Sequence, residues 1–141
     1  AWGSLKSNGV VLRAPAGWEL VTPAESTVGD PRTVLVAGTT GTAARKSDCV
    51  VAAYRVPADG AVIVVLRWAG KAPDWLPTDR AALADLRLRR PYFECFDGRG
   101  AAAQVALKGR AYQVNLMVGD RASAKTVAAA LAVARSVDVV R

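Results

Sequence analysis

From Arg110 to Val118 the chain alternates, with Tyr112, Val114, Leu116 and Val118 on one side and Ala111, Gln113, Asn115 and Met117 on the other. A period of two predicts a strand buried strongly on one face. Gly119-Asp120 punctuates it, and Asp120 or Ser123 can cap the helix that follows. On that helix Val127, Ala130, Leu131 and Ala134 recur at helical spacing, with Lys125 and Arg135 off the stripe. A strand with one apolar face beside a helix with one apolar stripe predicts that the two pack together.

The same reading covers the rest of the chain. Residues 1–8 are expected to be a loose start and 9–13 a short first strand. Pro15 and Gly17 mark a turn that places Trp18 as an apolar anchor. Asp30-Pro31 starts a turn, and the β-branched run 33–37 is a strand. Residues 49–56 and 61–68 are expected to pair as a hairpin across Pro57-Ala58-Asp59-Gly60. Thr78 is the expected cap of a helix running to about Leu88, with Ala82, Leu83 and Leu86 buried. Residues 92–96 and 101–107 are further strands. A two-residue loop at Lys108-Gly109 would set Gln104 opposite Gln113 and Val105 opposite Tyr112. Successive hairpins with two helices predict an α+β fold, a largely antiparallel sheet with helices packed against it.

Composition narrows the classes. With 141 residues, 52% of them hydrophobic, the chain suits one globular domain (1–141) with a real core. No apolar run reaches the roughly eighteen residues of a membrane span. There is no initiator methionine and no signal-like segment, so the chain reads as a mature or trimmed ectodomain, extracytoplasmic by secretion or by an anchor upstream of residue 1. Its two cysteines, Cys49 and Cys95, are expected to form a disulfide in that setting. The bridge would close a loop of 47 residues counting both ends, worth about 4 kcal/mol in the chain-entropy account.

The net charge of +7 raises attraction to polyanions. The basic residues are spread along the chain. The densest group, Arg80, Arg87, Arg89 and Arg90, is a candidate anion-binding patch, although helix-dipole complementarity explains it as well. Nucleic-acid binding is disfavoured, because aromatic residues make up only 6% of the chain and stacking platforms are few. Of the four tryptophans, Trp2 and Trp75 stand in polar or turn-like sequence and are the candidates for an exposed ring.

Candidate chemistry is sparse. The sequence has no histidine, which removes Ser–His and Cys–His mechanisms and imidazole metal sites. Lys46-Ser47 is a pair only in sequence. Asp59 and Asp97 fall in turns, and Glu94 in a strand is expected to be solvated or paired with an arginine. No cluster has metal-ligand spacing and no cofactor is implied. The stretch 33–43 resembles a strand followed by a Gly-Thr-Thr-Gly nucleotide turn at Gly38–Gly41. A phosphate loop needs glycine immediately before its lysine, where Arg45 stands. A dinucleotide fold needs a helix and a crossover that residues 42–48 are too short to supply.

The Pro15-x-Gly17-Trp18 turn after a first strand, the hairpins and the ending GRAYQVNLMVGDRASAKTVAAALAVARSV resemble secreted and membrane-anchored domains of high-GC bacteria with a PsbP-like (Mog-type) fold. The resemblance implies an antiparallel sheet with helices against it, and a role in binding partners such as a photosystem or a small GTPase. It implies no shared catalytic residues, and the two cysteines depart from it. The expected function is therefore a non-enzymatic binding module. Its partner would be a protein or an anionic cell-envelope ligand. A nucleotide-binding enzyme domain using Gly38–Gly41 and a polyanion binder using the arginine patch are the alternatives.

Overall fold

The computed structural model describes residues 2–90, 93 and 95–140. The chain opens with a hairpin, β1 (Gly3–Ser7) and β2 (Val10–Ala14). Asn8 and Gly9 between them both take positive φ, 51° and 79°, as a two-residue hairpin turn of matching twist requires. The expected loose start is therefore a strand. At the other end of the chain β10 (Asp138–Val139) pairs with the far side of β2.

The main sheet is antiparallel and five-stranded. Its order is β3 (Trp18–Leu20), β4 (Arg32–Thr39), β7 (Ala61–Arg67), β9 (Arg110–Val118), β8 (Gly100–Leu107). The α+β class with a mostly antiparallel sheet is as expected. On its first face Tyr112, Val114, Leu116 and Val118 pack with Ile63, Val65 and the β2 residues Val10 and Leu12. Helix α2 (Ala124–Arg135) covers this face with Ala130, Val133 and Ala134. Ser123 is its cap, accepting the Thr126 N–H at 3.2 Å; Val133 joins the expected stripe, while Val127 and Leu131 are half-buried.

The second face is buried too, a departure from the one-sided strand that alternation suggests. Met117, Val36, Val62, Val64 and Leu66 are covered by Ala52, Ala53 and Tyr54. This explains the expected hairpin that does not form. Both edges of β7 are taken, by β4 and β9, so residues 49–56 have no edge to join. They lie over the second face instead. Only β6 (Tyr54–Arg55) is extended, and it pairs with β5 (Ala43–Ala44). Pro57–Gly60 remains a turn, closed by Gly60 N–H to the Pro57 carbonyl at 2.9 Å.

The inserted helix is also shorter than expected. α1 spans only Ala81–Ala84, with Arg80 rather than Thr78 at its N-cap position. Asp79 Oδ1 accepts the Ala81 N–H at 3.1 Å. Leu83 and Leu86 are buried as expected, and Ala82 half-buried. The chain is then drawn out of the helix, because Arg89 and Gly100 exchange backbone hydrogen bonds of 2.8 and 2.7 Å. Of the strand expected at 92–96, Phe93, Cys95 and Phe96 are not extended; Tyr92 and Glu94 lie outside the described residues.

Candidate functional site

The β8–β9 hairpin sets the geometry of the site. Lys108 and Gly109 take φ of 49° and 78°, a tight two-residue turn that fixes the register. Leu107 faces Arg110, Val105 faces Tyr112 and Gln104 faces Gln113, as expected. A chain of amides crosses the second face from there. Gln104 Nε2 donates to Gln113 Oε1 at 3.1 Å. Gln113 Nε2 donates to Asn115 Oδ1 at 2.7 Å. Asn115, 0% exposed, donates Nδ2 to the Val64 carbonyl at 3.0 Å. A backbone carbonyl can only accept. The Val64 oxygen therefore sets the orientation of all three amides, and the exposed Gln104 keeps its Oε1 outside the chain as a further acceptor.

Beside Gln104 the connector after β7 folds across the end of the second face. Trp68 N–H bonds the Ala111 carbonyl at 3.0 Å, Ala72 N–H the Gly109 carbonyl at 2.7 Å, and the Ala106 N–H the Pro77 carbonyl at 2.8 Å. Between connector and sheet lies a cleft of about 370 Å³, lined by Trp68, Lys71, Trp75, Leu76, Gln104 and Ala111 among others. Trp75 is 74% exposed. Trp2, the other tryptophan expected at the surface, is 40% exposed on the N-terminal hairpin. Lys71 is the one charged side chain in that lining. Lys108 sits in the turn tied to Ala72, and Arg110 Nη2 donates to the Trp68 carbonyl at 3.4 Å. Asp74 is the acid in the connector. Nothing local announces this cleft. Trp75 is legible as a surface ring, but its setting comes from residues some thirty to forty positions further on.

A second, wider and more polar cleft of about 1130 Å³ separates loops 23–27 and 44–48. Tyr54, buried in the core of the second face, is bonded to Ala24 of the cleft lining. Its hydroxyl accepts the Ala24 N–H at 3.0 Å; burial raises the phenol above its ordinary pKa, and that hydrogen bond partly opposes the rise. Lys46 and Ser47 border this cleft, and Ser47 Oγ accepts the Cys49 N–H at 3.0 Å, a turn contact. Cys49 and Cys95 are joined as a disulfide with Cα atoms 6.6 Å apart, as expected. The bridge ties the segment covering the second face to the loop before β8.

The remaining candidates have internal work. Arg80 reaches onto the end of α2, donating to the carbonyls of Arg135 and Val137 at 2.8 Å each, 3.6 Å from Asp138 Oδ1. Arg135 in turn donates to the Leu86 carbonyl at 2.7 Å. Arg90 donates to the Asp97 carbonyl, while Arg87 and Arg89 are exposed. The four arginines thus do not converge on one point. In the Gly38–Gly41 loop, Thr39 Oγ1 accepts the Ala61 N–H at 3.1 Å and Thr40 Oγ1 donates to the Gly17 carbonyl at 3.2 Å. Strand β5, not a helix, follows. Asp59 Oδ1 accepts the Ser123 N–H and the Thr126 hydroxyl at 2.8 Å each, and these bonds, the backbone one foremost, hold its carboxyl below the ordinary value. No helix among the described residues is long and apolar enough to cross a membrane. Compared with models of known protein families and with curated proteins, the sequence matches none.

Proposed function

We propose that this chain is a non-enzymatic binding domain working outside the cytoplasm, with its ligand held in the Trp68–Trp75 cleft. The observation that carries this reading is Trp75, a large ring left mostly in water above an otherwise apolar cleft. Binding clefts are largely apolar with a few placed polar groups, and here those are Gln104 and Lys71. The groups that suggest chemistry elsewhere have structural partners: Ser47 holds a turn and Asp59 holds the start of α2. The disulfide supports an oxidising compartment. The PsbP-like resemblance, taken with the antiparallel sheet, agrees with a partner-binding role.

The test is a screen of small sugars, aromatic acids and short peptides, followed through the four indole N–H signals in NMR, each assigned by Trp→Phe replacement. Shifts concentrated on Trp68 and Trp75 support the reading. Compounds that bind while moving only Trp2 or Trp18 would remove it.

A further inference from the structure

We infer that the cleft selects an acidic glycan. This rests on the cleft being the binding site and adds the chemistry of what enters it. Three features converge there. First, Trp75 offers a flat exposed face. A sugar ring presents an apolar C–H face of matching shape, and stacking on an aromatic side chain tolerates such partners. Second, the amide chain ending at Gln104 has a fixed direction. Because Val64 accepts, Asn115, Gln113 and Gln104 each donate inward, and Gln104, which lines the cleft, keeps its Oε1 available as an acceptor. A ligand donor can meet that oxygen and a ligand acceptor the second Nε2 hydrogen, and hydroxyl groups, which a sugar supplies in number, do both. Third, Lys71 is the one charged side chain lining the cleft, so a carboxylate or phosphate on the sugar is favoured over a neutral one.

The volume of about 370 Å³ is at the small end for ligand clefts. It suits one or two rings of a longer polymer crossing the opening, rather than a polymer engulfed. The broader polar cleft near Lys46 lacks an aromatic face and does not share this chemistry.

The experiment is calorimetric titration of the intact, oxidised domain at low salt with a uronic-acid trisaccharide, its methyl ester and a phosphorylated trisaccharide. Binding of the uronate or the phosphate is expected, the two arms showing which anion is preferred. The methyl ester, which keeps the hydroxyls but loses the charge, should bind about fivefold more weakly than the uronate. Trp75→Ala should weaken binding about tenfold, and Gln104→Ala about fivefold. Both positions are exposed, so the variants should melt as the parent does, which a thermal scan checks. Equal binding of the ester and the uronate, or no binding of either acidic probe, overturns the inference. So does association with anionic phospholipid vesicles in place of either glycan. Indole shifts at Trp68 and Trp75 with other compounds would then leave the binding site standing while its proposed ligand falls.

Discussion

Gln104 on the edge strand β8 faces Gln113 on β9, and their side-chain amides are bonded, Nε2 to Oε1, at 3.1 Å. The pair is the outer end of a chain whose inner end, Asn115, is sealed within the protein. Replacing Asn115 by Asp removes the donor to Val64 and places a carboxylate against a carbonyl. A buried carboxylate has a raised pKa, so the variant is favoured when protonated and loses stability as pH rises through that value. Asn115→Asp should cost at least about 3 kcal/mol at pH 7, and less at pH 4, read by urea unfolding at both. Equal loss at the two pH values would contradict this environment.

Asp59 runs the opposite way. Its carboxyl is held below the ordinary value of 3.8 by the Ser123 N–H and then the Thr126 hydroxyl. That stability is present above 3.8 and is lost as pH falls through the lowered value. Asp59→Asn keeps an acceptor without the charge. The wild type should be the more stable of the two at pH 6, with the gap narrowing below pH 4; thermal scans across that range measure it.

Ser123 caps α2 directly through the Thr126 N–H. Ser123→Ala should cost about 1 kcal/mol, and Ser123→Asp should recover most of it. Chemical denaturation of the three proteins gives the ranking.

Opening the Cys49–Cys95 bridge releases a long loop. The double variant Cys49→Ala, Cys95→Ala should lose about 4 kcal/mol, and reductant should lower the melting point of the wild type in the same direction. A thiol count on denatured protein, without and then with reductant, should give none and then two.

Gly119 is packed so closely that a Cβ would stand 2.1 Å from the Pro57 carbonyl oxygen and 2.4 Å from that of Ala58. Backbone cannot yield as a side-chain end can, so Gly119→Ala should destabilise by about 2 kcal/mol or more. Gly29→Ala, with nothing within 4 Å, is the matched control and should change little.

What the sequence makes legible follows the range of the physics. The register of β8 against β9 can be read because two residues, Lys108 and Gly109, set it locally. Ser123 can be read because a cap acts within one turn. The second face cannot. Its cover, residues 52–54, has no period of its own, and it lies over the sheet because β7 has no vacant edge. Strand β1 is obscured because Gly3–Ser7 is mostly exposed and has only Leu5 as a large apolar residue, although Asn8-Gly9 carries the turn signature. The site divides in the same manner. Trp75 stands out as a surface ring, and the glutamine pair follows from the register. The cleft between them exists only once the connector crosses the sheet, held by Ala72 to Gly109.

Strand β2 holds the chain at both extremities: Gly3 lies opposite Ala14 on one side, and Val139 opposite Val10 on the other. That small sheet rests on the first face of the main sheet, and the cleft opens on the second. A molecule suspended by either end, from a bead, a sensor chip or a fused neighbour, therefore turns its tryptophan-lined mouth away from the support.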